Sequence, residues 1–176
     1  MNEKFLFTPD IPTTVTLNPR PLFGEVVIPG DKVTAVHAIL GALVQTGPTI
    51  ICNMHYCGDV TYLLQWIEET GLAKITRTDT FLKIETIAEQ KIIDLSPLAN
   101  TRSNVCLITA LALKNGHVLF RGTQGCRFAE RKLDRHFDLI SAFGLKVEEG
   151  VETHVISAGT TPDKVEFRCA TEVYGP

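Results

Sequence analysis

The sequence lacks a large charge excess, a long apolar run and the pattern of a signal peptide. Its formal net charge is −3 and its isoelectric point is about 5.9, so it has no basic excess that would attract nucleic acid or an acidic membrane surface. The longest apolar stretches, such as residues 33–44, fall short of the ~20 residues that a membrane-spanning helix needs. We therefore expect a cytoplasmic protein that binds neither nucleic acid nor membrane.

Cysteine is present, but not in a pattern typical of disulfides or metal sites. The chain has five cysteines, an odd number: Cys52, Cys57, Cys106, Cys126 and Cys169. They form no CxxC pair and show no Cys/His spacing typical of a zinc site. We expect most of them to be buried free thiols. No segment matches the Walker A or GxGxxG pattern, and neither histidines nor carboxylates cluster. The sequence therefore predicts no cofactor and no metal.

What the sequence does contain is an internal repeat of roughly 70 residues. The first copy predicts a strand at 23–29, a helix at 34–44, a strand at 49–52, a helix at 59–70 and strands at 73–76 and 81–85. In the second helix, Asp59 is the predicted N-cap and Gly71 is the predicted C-cap.

The second copy repeats this order. It predicts a strand at 91–95, a helix at 102–113, a strand at 117–121, a helix at 131–143 and strands at 145–148 and 154–157. A strand at 165–170 would begin a third copy. The sequence thus predicts an α/β (α+β) fold of βαβαββ units, with a lead-in at 1–21, units at 22–89 and 90–164, and the start of a third at 165–176. Because such a unit needs neighbours to cover its apolar helix, we expect a longer chain.

A basic residue stands where the first strand of each copy meets its first helix. Lys32 follows Gly30-Asp31, and Arg102 is in the equivalent position of the second copy. A helix N-terminus already carries the positive end of the helix dipole, so a cation there favours an anionic ligand and not helix stability. Both residues therefore predict phosphate or carboxylate binding, with solvated surface cations as the alternative.

The loop at 122–131 is rich in glycine and cations and carries Cys126. Arg131 and the following helix N-terminus would favour the thiolate of this cysteine, which predicts a nucleophile or an acid, although an inert thiol is the alternative. The helix that follows carries Asp134 and His136. His136 is either a ligand contact or a structural histidine with a backbone partner.

Three segments resemble the enolpyruvyl transferase family. They are residues 22–32 (LFGEVVIPGDK), Arg102-Ser103, and residues 125–136 (GCRFAERKLDRH). Within the family the similarity is greatest to the enzymes that use UDP-N-acetylglucosamine, because the shikimate 3-phosphate enzymes share the Pro-Gly-Asp-Lys turn but not the cysteine loop. The resemblance implies two inverse α/β barrel-like domains of three βαβαββ units each, with residues 1–21 as a strand of the other domain.

The resemblance also implies an activity: transfer of the enolpyruvyl group of phosphoenolpyruvate to a sugar hydroxyl, with release of phosphate, in peptidoglycan precursor synthesis. Lys32, Arg102 and Arg131 would hold phosphoenolpyruvate. Cys126 would donate a proton or add covalently, and it would be the target of fosfomycin. Four residues would lie near the uracil and the diphosphate: Lys132, Leu133, Asp134 and His136.

Three positions depart from the family pattern. Val33 stands where an asparagine is usual, Lys132 where a proline is usual, and Cys106 where an aromatic residue is usual. The phosphoenolpyruvate residues are unaffected, whereas the acceptor is left open between UDP-N-acetylglucosamine, another uridine nucleotide and shikimate 3-phosphate. A non-catalytic anion-binding domain is a further alternative. We expect no turnover from these 176 residues alone, because the resemblance implies that the general base and a further cation come from the rest of a longer chain.

Overall fold

A computed structural model describes residues 21, 23–28, 30–87, 92–100, 104–121, 133–150, 153–160 and 162–168. They form two successive α/β units. The first contains α1 (Lys32–Val44), β1 (Thr49–Cys52), α2 (Gly58–Glu69), β2 (Ala73–Arg77) and β3 (Phe81–Thr86). The second contains β4 (Ile92–Asp94), a 3-10 turn (Ser96–Asn100), α3 (Asn104–Asn115), β5 (His117–Phe120), α4 (Asp134–Ala142), β6 (Lys146–Glu148) and β7 (His154–Ser157). From α1 to β7 the predicted order of helices and strands is confirmed.

The two units share one strand topology. In the first sheet, β1 and β2 flank β3 and both pair with it antiparallel. In the second sheet, β5 and β6 flank β7 in the same antiparallel arrangement, and β4 pairs in parallel with the other edge of β5. Because β1, β2 and β3 correspond to β5, β6 and β7, the repeat in the sequence is also a repeat of topology. The unit boundaries at 22–89 and 90–164 stay predictions.

The helices of the two units pack into one apolar core. Ile39 and Leu43 of α1, Leu64 of α2 and Leu107 of α3 are almost completely buried in it. At the end of α1, Lys114 Nζ donates a 2.6 Å hydrogen bond to the Leu43 carbonyl oxygen, which satisfies one of the carbonyls that a helix C-terminus leaves unpaired. This packing fixes the positions of the first turns of α1 and α2, where the candidate site lies.

The strand predicted at 23–29 is absent over 23–28, and residue 29 lies outside the described residues. Phe23, Val26, Val27 and Ile28 are between 76% and 95% exposed. A strand forms only where its backbone N–H and C=O groups pair with a neighbour, and within the described part of the first sheet β1 pairs with β3 alone. An apolar pattern predicts strand character but does not supply that partner.

The strand predicted at 165–170 is absent over 165–168 for a similar reason, and 169–170 lie outside the described residues. In chain order, β6 and β7 are the last described strands of the second sheet. None of the described strands of this sheet pairs with residues 165–168. Among the described residues, no helix is both long and apolar enough to cross a membrane.

Three smaller expectations are also corrected. Cys57, and not Asp59, is the N-cap of α2, so Asp59 lies in the first turn of the helix. The expectation that most of the five cysteines are buried is wrong, because Cys52 is exposed and Cys57 and Cys106 are only partly buried. Cys52 is exposed because burial alternates along β1 and its last residue faces outward. Thr70, and not Gly71, is the C-cap of α2, and Gly71 follows it in the left-handed conformation (φ +68°), which glycine adopts readily.

Candidate functional site

The candidate site lies where the turn before α1 meets the loop after β1. Gly30 packs directly against the backbone of Asn53, and a Cβ atom at Gly30 would overlap the Asn53 carbonyl oxygen. Asn53 itself adopts a left-handed conformation (φ 55°), which asparagine tolerates better than most residues. This close approach places Lys32 beside the first turn of α2.

Asp31 is the N-cap of α1. Its Oδ2 accepts hydrogen bonds from the Thr34 backbone N–H at 2.7 Å and from the Thr34 hydroxyl at 2.9 Å. These bonds, with the backbone bond the stronger cause, hold the pKa of the Asp31 carboxyl below its usual value. The cap starts the helix at Lys32, so the side chain of Lys32 projects from the first helical position.

Replacing Asp31 by alanine is expected to lower the thermal unfolding midpoint at pH 7, because α1 loses its cap. The folded-state pKa lies below the unfolded value of 3.8, so the stabilisation is present above that pH and is lost as the pH falls through the folded pKa. The gap between wild type and Asp31→Ala should therefore narrow below about pH 4 in thermal melts. Asp31→Asn keeps the acceptor oxygen and is the control. A gap that stays constant from pH 7 to pH 3 would contradict this account.

Lys32 forms an ion pair with Asp59 of α2. Its Nζ donates to Asp59 Oδ2 at 2.9 Å, and this hydrogen bond, followed by the negative charge of Asp59, raises the pKa of Lys32. The ammonium group is therefore fully charged at neutral pH, and its side chain is 49% exposed. A fixed, accessible cation between the N-termini of two helices is an arrangement that attracts an anion.

The second-unit candidates lie on α4. Leu133 occupies its N-cap position and makes no side-chain capping bond, and Asp134 lies in the first turn. The backbone N–H of His136 donates to the Leu133 carbonyl at 2.8 Å. Lys32 pairs with Asp59 of its own unit, and the described contacts join none of these α4 residues to that pair.

Four other predicted site residues lie outside the described residues: Arg102, Cys126, Arg131 and Lys132. Their roles stay predictions. Val33 is described, and its side chain is 56% exposed next to Lys32. Sequence reasoning missed Asp59 as a site residue, because it is 27 positions from Lys32 and only the packing of α1 and α2 brings the two together.

Comparison with known proteins identifies related sequences and folds. The family described as EPSP synthase (3-phosphoshikimate 1-carboxyvinyltransferase) matches residues 17–171. The chain is 24% identical over 155 residues to the UDP-N-acetylglucosamine 1-carboxyvinyltransferase of Trichlorobacter lovleyi, covering 86% of this chain and 37% of that protein. It is 25% identical over 130 residues to the enzyme of the same name from Buchnera aphidicola, covering 73% and 31%. The chain thus spans about a third of the length of these curated relatives.

Two solved structures have a similar fold. The enolpyruvyl transferase NikO from Streptomyces tendae superimposes with a TM-score of 0.62 at 19% identity, covering 80% of this chain and 31% of that one. EPSP synthase from Acinetobacter baumannii superimposes with a TM-score of 0.52 at 17% identity, covering 77% and 32%. The predicted fold class, an inverse α/β barrel-like arrangement of repeated units, is confirmed by this likeness.

Proposed function

The chain belongs to the EPSP synthase family, and from this premise we propose that the protein transfers the enolpyruvyl group of phosphoenolpyruvate to a hydroxyl group of an anionic acceptor. Overall, the acceptor loses its hydroxyl proton, the carbon–oxygen bond to the phosphate of phosphoenolpyruvate breaks, and inorganic phosphate leaves. The described part of the chain contributes a binding site for the anionic groups of phosphoenolpyruvate.

The observation that carries this proposal is the position of Lys32. Its ammonium group is charged, half-exposed and held at 2.9 Å from Asp59 between two helix N-termini. Phosphoenolpyruvate carries a phosphate and a carboxylate, so its binding requires several fixed cations, which stabilise charge best when they are held in place before the substrate arrives. Arg102 and Arg131 are proposed to supply the others.

The proposed chemistry proceeds by addition and elimination. A proton adds to the methylene carbon of phosphoenolpyruvate while the acceptor oxygen bonds to the neighbouring carbon and gives up its own proton. Loss of a methyl proton and of phosphate then restores the double bond. Cys126 is proposed to donate the first proton or to add covalently, and to be the residue that fosfomycin alkylates.

UDP-N-acetylglucosamine is the first proposed acceptor, because the curated relatives carry its name. A second acceptor class, another uridine nucleotide or shikimate 3-phosphate, is favoured by Val33: an exposed apolar side chain next to Lys32 offers no hydrogen bond to a sugar nucleotide.

We expect the full-length protein to release inorganic phosphate from phosphoenolpyruvate when UDP-N-acetylglucosamine is present, measured colorimetrically over time. Parallel reactions contain uridine monophosphate or shikimate 3-phosphate, and a reaction without acceptor is the control. Release with one of the other acceptors and none with UDP-N-acetylglucosamine would contradict the first acceptor and retain the reaction. Absence of release with all three would contradict catalysis.

A second candidate function is anion binding without turnover. It is favoured by the coverage of the relatives, because the chain spans only about a third of their length. Under this alternative, phosphoenolpyruvate binds at Lys32, but no phosphate is released from it with any of the acceptors. Calorimetric titration alongside the phosphate assay separates the two functions, since binding is common to both and release belongs only to the first.

A further inference from the structure

We propose that Asp59 is a positioning residue, which holds the ammonium group of Lys32 in the place where it meets the anionic substrate. This inference rests on the proposed function, because it assumes that Lys32 contacts phosphoenolpyruvate. It adds to the site a residue whose carboxylate acts through Lys32 and does not itself bind the substrate.

The geometry gives Asp59 control over the direction of the Lys32 side chain. A lysine ammonium group on a four-carbon stem samples many rotamers, and that of Lys32 projects from the start of α1, where the helix dipole does not attract it. The only ion pair described for it is with Asp59 Oδ2 at 2.9 Å. Because Asp59 belongs to the first turn of α2, the pair ties Lys32 to a second rigid element.

The hydrogen-bonding capacity of the ammonium group leaves room for a ligand. An ammonium group has three N–H donors, and Asp59 accepts one of them. The Lys32 side chain remains 49% exposed, so solvent reaches the other donors and an anion can displace that water. Asp59 thus orients the group without occupying all of its donors.

Stability does not explain the pair. The side chains of Lys32 and Asp59 are 49% and 36% exposed, and ion pairs that are this accessible contribute little to folding. Their main consequence is local: Asp59 raises the pKa of Lys32, and the 2.9 Å ion pair fixes where the charge of Lys32 lies.

Two effects of Asp59 on anion binding have opposite signs, which makes the proposal testable. Its negative charge repels an incoming anion, so loss of the charge alone would tighten binding. Its positioning of Lys32 favours the anion, so loss of positioning would weaken binding. The direction of change in Asp59→Asn therefore decides which effect dominates.

The experiment compares Asp59→Asn with wild type by calorimetric titration with phosphoenolpyruvate and by NMR titration of the Lys32 side-chain Cε resonance. We expect phosphoenolpyruvate affinity to fall roughly three- to tenfold and the pKa of Lys32 to decrease. The thermal midpoint should change by no more than about 4 °C. Asp59→Glu, which restores the carboxylate, should recover part of the affinity and the raised pKa.

The matched control is Glu68→Gln, on the same helix. Glu68 forms a similarly exposed ion pair with Arg77 at 2.7 Å, far from Lys32 in the sequence. Its loss should change neither the phosphoenolpyruvate affinity nor the titration of Lys32. Unchanged or tighter binding by Asp59→Asn would overturn the positioning role. If wild type binds no phosphoenolpyruvate, the proposed function fails, and the Lys32 titration then decides this inference: an unchanged Lys32 pKa in Asp59→Asn would overturn it.

Discussion

Replacing Lys32 by methionine should weaken phosphoenolpyruvate binding by roughly 10- to 100-fold. The substitution keeps the aliphatic stem and removes the ammonium group that Asp59 holds at 2.9 Å. A hydrogen bond to a charged group contributes about 1.5–3 kcal/mol, and each 1.4 kcal/mol corresponds to a factor of ten in the dissociation constant. Calorimetric titration of both proteins with phosphoenolpyruvate measures the difference.

The control for this prediction is Lys74→Met, at an exposed position of β2. It removes the same charge from the chain, so it corrects for the change in net charge, and its effect on affinity should be small. The fold should tolerate Lys32→Met, because a cation in the first turn of a helix does not stabilise it. Equal affinities of Lys32→Met and wild type would make Lys32 an ordinary solvated surface lysine.

Replacing Gly30 by alanine should both destabilise the protein and weaken phosphoenolpyruvate binding. The added Cβ would overlap the Asn53 carbonyl oxygen, which is backbone and cannot swing away as a side chain does. Overpacking of this kind costs about 1–3 kcal/mol in the free energy of unfolding. Relief of the overlap moves the turn that carries Asp31 and Lys32, so the ammonium group is displaced from its position beside α2.

Gly41→Ala is the matched control, because it adds the same methyl group within α1, the helix that follows the Gly30 turn. Apart from its chain neighbours and the backbone of its own helix, no atom lies within 4 Å of a Cβ at Gly41. Alanine is favoured over glycine in a helix interior by about 0.5–1 kcal/mol. Chemical denaturation should therefore show opposite changes in the two variants: lower stability for Gly30→Ala and higher stability for Gly41→Ala. A Gly30→Ala protein as stable as wild type, with unchanged affinity, would contradict the role assigned to this contact.

The helices and the paired strands could be predicted because their signals are local. In α2, apolar residues spaced for one helix face, such as Val60, Leu64 and Ile67, are the residues that the structure buries. The repeat helped as well, since the elements of one unit predict those of the other. The error at 23–29 has a non-local cause, because alternation identifies residues that suit a strand but not the neighbour with which they pair.

The candidate site also has a part that local patterns predict and a part that depends on packing between helices. Lys32 could be predicted from its place at a strand-to-helix turn, since the argument depends on one helix N-terminus. Asp59 could not, because its partner is 27 residues away and the pair exists only after α1 and α2 have packed together. The sequence assigned Asp59 a local role as helix N-cap, whereas Cys57 occupies that position. Contacts between elements are thus the part of the site that local patterns leave out.

The central claim is that this chain carries a phosphoenolpyruvate site built around Lys32, and calorimetric titration of the wild-type protein tests it most directly. Two or three charge-assisted contacts predict a single saturable site with a dissociation constant of roughly 0.1–1 mM, weaker at high salt. Pyruvate, which lacks the phosphate, should bind much more weakly. Absence of saturable binding, or equal binding of pyruvate and phosphoenolpyruvate, would contradict the claim.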